Sequence, residues 1–344
     1  MANMNVRTPR FYVDTINYLM SRGVAQNGQF DVLGTDAGAY KMGTFTTGSE
    51  IELFDMNPLN KVTFATSTDT DAHVMVNIDT HSTSSKKNFV AILNHNMNSA
   101  DAKVLIKGSD TEGHIQAVNM GSATAMGNPA EVVNADAISS SIVTPGSDGS
   151  TIVTFDESAL RYWGIQFEGN SSNTFGGTNL FVGCILIGEY FDAPHAPDMS
   201  VKRSIDFDKV KVLESTGGQR FSNMISHGRT STATSKSPFT LGFPDHEGYG
   251  GRLSYDMNFS FLNSSAVMPN RYESLVHTDD TVVSDVWNKT NGPHIPFIFS
   301  CDNSSTGTNA ESEHIFARFA QNSLNTSQVA NDLWNVSLKI EEEF

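Results

Sequence analysis

Several clusters in this chain carry residue types able to do chemistry. Asp69, Asp71 and His73 fall at alternate positions, so in an extended segment their side chains share one face. Carboxylates with an imidazole there suit a hard cation such as calcium, which prefers carboxylate and carbonyl oxygens. The same residues equally continue the wet face of a strand whose other face is Val74, Val76 and Ile78. Asp206 and Asp208 repeat the spacing and carry the same two readings. Asn94-His95-Asn96 directly follows the apolar run Phe89-Val90-Ala91-Ile92-Leu93. Strand ends often carry ligand contacts, and Asn and His side chains also hold turns together. Ser226-His227 and Asp245-His246-Glu247 offer hydrolase residue types, but nothing in their spacing brings them together. Phe175 beside Gly176-Gly177 and Tyr249 beside Gly250-Gly251 suit sugar stacking or packing at a core edge.

Motifs that define common enzyme classes are missing: no phosphate loop, dinucleotide fingerprint, Gly-x-Ser-x-Gly elbow, His-Glu-x-x-His or Cys-x-x-Cys occurs. The expectation is therefore a protein without catalysis and without a cofactor, apart from calcium at Asp69, Asp71 and His73. A formal net charge of −16 argues against gripping nucleic acid through its phosphates. No apolar run nears the roughly 18 residues needed to cross a bilayer, and Met1 to Phe11 lacks the apolar centre of a signal peptide. The expected origin is cytosolic, or a particle assembled in the cytosol. Cys184 and Cys301 sit in no paired motif, and Cys184 lies in the apolar run Leu180 to Ile187, where a thiol acts as a small apolar residue.

The elements that must position these residues are mostly strands. Leu253, Tyr255, Met257, Phe259 and Phe261 alternate with polar residues, as do Trp334, Val336, Leu338 and Ile340. A period of two over such lengths marks a half-buried strand and violates the spacing of a helix. Val74, Val76 and Ile78 alternate likewise, and Trp163, Ile165 and Phe167 point inward. Phe89 to Leu93 and Leu180 to Ile187 are continuously apolar, as strands covered on both faces would be. Ile142-Val143-Thr144 and Thr151 to Phe155 flank Pro145-Gly146-Ser147-Asp148-Gly149, which predicts a hairpin. Ile205, Phe207, Val210 and Val212 recur between Lys202 and Glu214, and Gly217-Gly218 then makes a turn.

A helix is predicted from Pro9 to Arg22, with Thr8 as N-cap and Gly23 as stop. Phe11, Tyr12, Ile16 and Leu19 give it an apolar stripe, read either as a cap on the first sandwich or as an arm that docks on a neighbouring subunit. Short helices are expected at 269–277 and 280–287. The prolines between Asp192 and Asp198 mark a junction. The fold expected is all-β in the main: an arm over 1–23, a jelly-roll sandwich over 24–195, and a smaller antiparallel domain with short helices over 196–344.

Gly183-Cys184-Ile185-Leu186-Ile187-Gly188-Glu189-Tyr190-Phe191, followed by prolines, resembles the last strand of discoidin-like, galactose-binding-type sandwiches in tailed-bacteriophage structural proteins. The succession Arg252 to Tyr255, Pro296 to Phe299, Phe316 to Phe319 and Trp334 to Glu342 is similar to minor tail proteins, and Asn5 to Phe11 to uncharacterised marine-phage virion proteins. The resemblance implies a virion component of tail or baseplate, assembled in the host cytoplasm through subunit contacts, with other virion proteins as partners and a homo-oligomeric ring as its form. A carbohydrate-binding module for host attachment, with a surface glycan as ligand, and a capsid decoration protein are the alternatives.

Overall fold

The computed structural model describes residues 7–23, 30–33, 41–42, 45–67, 72–81, 86–170, 175–207, 211–223, 239, 251–268, 282–307 and 310–343. The chain is mainly antiparallel β-structure. One long sheet of eleven strands runs through both halves. Its order is Ala130–Val133, Gly149–Ser158, Lys87–His95, Cys184–Asp192, Arg10–Asp14, Phe297–Ser300, His314–Phe319, Leu333–Glu342, Arg252–Asn263 and Lys202–Asp206, with Thr326–Ala330 beside Leu333–Glu342. A second sheet, of eight strands, centres on Ala102–Ser109, Tyr162–Gly169 and Ala72–Asp79. It covers the N-terminal half of the long sheet to make the sandwich.

Side-chain alternation builds three apolar layers from these sheets. Val90, Ile92, Ile185 and Ile187 point from the long sheet toward Val74, Val76, Trp163, Ile165 and Phe167 of the second sheet, which forms the sandwich interior. The β-branched residues dominate because their stiff χ1 suits a pleated surface. Phe89, Ala91, Leu93, Cys184 and Leu186 point the other way and meet Phe239, Ile295 and Ala310. All nine residues of Lys87–His95 are buried, as a strand covered on both faces requires. The third layer lies in the C-terminal half, where Tyr255, Met257, Phe259, Phe297, Phe299, Val336, Leu338 and Ile340 face Val267 and Val286 of two short helices.

Arg10–Asp14 joins the halves. It pairs with Cys184–Asp192 on one side and Phe297–Ser300 on the other. The N-terminal helix expected from Pro9 is thus a strand over Arg10–Asp14, and the helix spans Thr15–Ser21. Phe11 and Val13 enter one apolar layer and Tyr12 the opposite one, so a run apolar on every side reads as a central strand. The cap is Asp14, which accepts the Asn17 backbone N–H at 2.7 Å and the Ile187 N–H at 3.1 Å. Gly188 permits this crossing, since a Cβ there would lie 2.0 Å from the Val13 carbonyl oxygen. Gly183 has a comparable role, with a would-be Cβ 2.1 Å from the Pro58 carbonyl.

The hairpin expected around Pro145 to Gly149 is a passage between sheets. Ile142–Thr144 pairs with Ala102–Ser109 in the second sheet, while Gly149–Ser158 pairs with Lys87–His95 in the long one. Val143 and Val153 both face the sandwich interior, so the turn carries the chain across the core. The helix expected at 269–277 lies outside the described residues, and that at 280–287 is seen as Val282–Lys289. The junction expected after residue 195 falls between two strands of the same long sheet.

Candidate functional site

The calcium trio is not assembled among the described residues. Asp69 and Asp71 lie outside them. His73 is buried, and its Nε2 lies 3.1 Å from Glu168 Oε2. Lys103 Nζ sits 3.3 Å from the other oxygen of Glu168. Burial would raise the Glu168 carboxyl, but the His73 hydrogen bond and the Lys103 charge outweigh it and hold it below the usual range. The carboxylate nearest His73 is therefore already neutralised by a lysine. No group of three or more His, Cys, Asp or Glu side chains among the described residues is placed to hold a metal. Asp206 accepts a hydrogen bond from Ser254 Oγ at 3.1 Å, and Asp208 is outside the described residues.

Asn94-His95-Asn96 forms a hydrogen-bonded turn. His95 Nδ1 accepts the Met97 N–H at 3.2 Å, which leaves the proton on Nε2 to be donated to Thr151 Oγ1 at 2.8 Å. Thr151 in turn donates to the Asn134 carbonyl at 3.0 Å. Burial pushes the imidazole down to about 3, which keeps it neutral. Asn94 donates to the Pro58 carbonyl, and Asn96 clamps Asn179 O and Phe181 N. Phe175 is buried in the sandwich core and offers no ring for stacking. Ser226, His227, Asp245, His246, Glu247 and Tyr249 lie outside the described residues. Cys184 and Cys301 are separate buried thiols.

Phe11, Tyr12, Ile16 and Leu19, expected at a subunit contact, are all buried inside this chain, at 1–3% exposure. Their stripe is consumed by the chain's own layers because Arg10–Asp14 is a central strand of the long sheet, with Phe11 and Tyr12 on its opposite faces, and the following helix buries Ile16 and Leu19.

The surface that stands out lies elsewhere. Of the eleven large apolar side chains exposed among the described residues, six fall between 199 and 221: Met199, Ile205, Phe207, Val212, Leu213 and Phe221. Lys202–Asp206 ends the long sheet; it pairs with Arg252–Asn263, and no described strand pairs its other side. All five of its residues are exposed. Ile205 lies opposite Leu253 in register, so it extends the C-terminal apolar layer past the last covered strand.

Next comes a separate two-stranded ribbon, Lys211–Glu214 paired with Arg220–Asn223. Gly218, at φ +81°, closes its turn, with Ser215 Oγ accepting the Gln219 N–H. Leu213 and Phe221 lie opposite each other and share one face. Val212 and the Glu214–Arg220 ion pair, at 3.1 Å, take the other. The apolar residues and the glycine turn are legible in the sequence. That these side chains lie outside the core is not, because period two looks the same with the face covered or bare.

A smaller feature is Phe261, 67% exposed and held at φ +62°. A bulky residue in the left-handed region is unusual. Here it sits at an irregularity between Phe259 and Leu262, where its N–H donates to Asn335 Oδ1 at 3.2 Å. Beside it runs a wet face on which Asn258 Oδ1 accepts from Ser337 Oγ at 2.6 Å and Gln321 donates to the Ser337 carbonyl.

No protein-family model matches this chain, and no curated protein matches it. Among solved structures it is similar to chitosan-binding module 1 of a chitosanase/glucanase from Paenibacillus sp. IK-5. That match has 17% identity and a TM-score of 0.29, covering 43% of this chain and 95% of that one. A second similarity is to truncated AlyQ with CBM32 and alginate lyase domains, at 12% identity and a TM-score of 0.27, covering 74% of this chain and 55% of that one. At such scores neither match bears on what this chain binds.

Proposed function

We propose that this chain is a non-catalytic assembly protein that docks on protein partners through the edge strand Lys202–Asp206 and the ribbon 211–223. The supporting observation is the concentration of exposed apolar side chains there, six of eleven among the described residues. Exposed apolar side chains gathered in one stretch of chain suit an interaction surface, and a sheet edge with no described partner strand can serve as a template for pairing. Burying Leu213 and Phe221 is worth about 1.5–3 kcal/mol each. Association costs roughly 4 kcal/mol or more, so the ribbon and the edge strand must act together. The ribbon gains order as well, since two strands alone are marginal in water. The test is sedimentation of purified protein, alone and with candidate partners: Leu213→Ser with Phe221→Ser abolishes binding while the fold survives. The virion setting implied by the strand-pattern resemblance predicts that the chain is found by mass spectrometry in purified particles.

A glycan-binding reading has its own observation in Phe261, an exposed ring whose backbone N–H donates to Asn335 Oδ1, on a strand whose Asn258 bonds Ser337. Rings stack on the apolar faces of sugars while amides and hydroxyls take their OH groups. A glycan array is the probe. Binding lost in Phe261→Ala would favour this reading.

A further inference from the structure

Exposed apolar side chains are sparse in the N-terminal half and fall in one place. Among the described residues before Met199, only Phe45 and Ile51 are large, apolar and exposed, at 37% and 53%. Both lie in the stretch 45–55, which holds Glu50, Glu52 and Asp55 and no basic residue. Phe45–Thr47 is an exposed edge strand, paired with Val62–Phe64 on one side and with no described strand on the other. The short helix Glu50–Phe54 follows. It turns Leu53 and Phe54 into the sandwich core and leaves Glu50 and Ile51 outside. Gly48, at φ +85°, folds strand and helix against each other, and a Cβ there would lie 2.8 Å from Glu52 Oε2. The result is an apolar spot with an acidic border.

The ribbon 211–223 has the converse character. Leu213 and Phe221 share a face with Lys211 and Asn223, since alternate strand residues point the same way. Glu214 and Arg220 neutralise each other on the opposite face, so Lys211 gives the apolar face its charge. The stretch 202–220 holds five Lys and Arg against three Asp and Glu, in a chain of formal net charge −16.

From this complementarity, and resting on the assembly reading above, we propose that the ribbon's partner is a second copy of the chain, gripped at 45–55. Leu213 and Phe221 of one copy cover Phe45 and Ile51 of the next, while Lys211 meets Glu50 and Glu52 at the border. Opposite charges around an apolar centre fix the orientation and keep like surfaces from pairing. Ribbon and patch are different surfaces, so the contact is heterologous and every copy can both give and receive. It closes as a ring where its rotation divides a full turn, and otherwise extends as a filament. In a closed ring each copy is held at two contacts, which lets a small patch hold a stable assembly.

The experiment uses the full chain, with circular dichroism confirming the fold of each variant. Sedimentation velocity is run on a ribbon variant, Leu213→Ser with Phe221→Ser, on a patch variant, Ile51→Ser with Glu50→Lys, and on their mixture. Wild type is expected to form species larger than a dimer, and each variant alone to be monomeric. The mixture gives a dimer and nothing larger, because the patch variant's ribbon still finds the ribbon variant's patch. A contact made by the same surface on both copies cannot give that result. Separately, Lys211→Glu weakens self-association by about tenfold, and Glu50→Lys in the same chain recovers much of the loss. A patch variant that associates like wild type, a mixture that stays monomeric, or a Lys211→Glu chain that associates unchanged overturns the pairing of ribbon with patch. Each leaves the assembly reading in place. A monomeric wild type that binds another protein through Leu213 and Phe221 does the same. A ribbon variant that associates like wild type, or a monomeric wild type with no partner at that surface, overturns both.

Discussion

The centre of the long sheet and its rim are made from similar residues and meet opposite fates. Lys87–His95 and Cys184–Asp192 are covered on both sides, with apolar residues entering two different layers. Lys202–Asp206 and the ribbon 211–223 carry Ile, Val, Leu and Phe too, yet nearly all their side chains face outward. A strand's apolar residues are thus no measure of its burial. What decides is whether the fold supplies a second layer, and at the rim this chain supplies none among its described residues. The centre is built for stability, and the rim is where a neighbour can contribute the missing layer.

Truncation should separate the two regions most sharply. Phe297 is fully buried between Phe11 and Phe319, with ring centroids 5.8 and 4.8 Å away. Phe297→Ala is expected to cost about 3–5 kcal/mol in chemical denaturation, through lost burial and the cavity left behind. A change near wild type would mean the C-terminal layer is loosely packed.

The next effect is electrostatic. Lys289 Nζ donates to Glu189 Oε2 at 2.7 Å, with side chains 13% and 8% exposed, and so ties the helix Val282–Lys289 to the central strand. Lys289→Ala leaves the carboxylate buried without its ammonium partner and is expected to cost about 3 kcal/mol. Glu189→Gln in the same background should recover part of that loss. No recovery would show that the lysine stem, not its charge, is what matters.

Protonation offers a comparable handle on the centre. Burial pushes His95 down to about 3 and His314 to about 4, and His314 Nδ1 donates to the Ala310 carbonyl at 2.7 Å. A depressed imidazole binds its proton only in the unfolded chain between the folded value and about 6.5. Its contribution is therefore present above pH 6.5 and is lost as pH falls toward the folded value. Burial of Asp14 pushes that carboxyl up to about 6. Its effect has the opposite sign: folding stability falls as pH rises from about 4 to 6. The two histidines outnumber it, so these three groups together make acid destabilising. His314→Asn keeps a donor for Ala310 and removes one titration. Its deficit relative to wild type should shrink by about 3 kcal/mol between pH 7 and pH 4. A constant deficit would refute a neutral, buried His314.

The smallest effect on folding is expected at the rim. Leu213→Ser with Phe221→Ser should change stability by about 0.5 kcal/mol or less per site. A large destabilisation would mean the ribbon packs on its own chain.

Much of the fold was legible because alternation survives burial on one face. Arg252–Asn263 and Leu333–Glu342 read as strands from their period, and the turn at Gly217-Gly218 from its residues. Arg10–Asp14 reads wrongly as helix because Thr8-Pro9 and Gly23 bracket the segment like helix punctuation, and a short run apolar on all sides fits either element. The Pro145 to Gly149 turn reads as a hairpin because turn chemistry marks a reversal but not which sheet receives the next strand. Phe11, Tyr12, Ile16 and Leu19 suggest an interface because amphipathic residues near a terminus look free. Whether a layer covers them depends on pairing with Cys184–Asp192 and Phe297–Ser300, far along the chain, which local sequence does not encode. The rim residues were hidden for the converse reason.

The central claim is that the rim, not the centre, is the chain's working surface. Sedimentation equilibrium of the wild type beside Leu213→Ser with Phe221→Ser tests it most directly. The account expects a wild type that associates, with itself or with a protein partner, and a folded variant that does neither. A wild type that stays monomeric at every concentration and takes up no protein partner, or a variant that associates as strongly as the wild type, would contradict it.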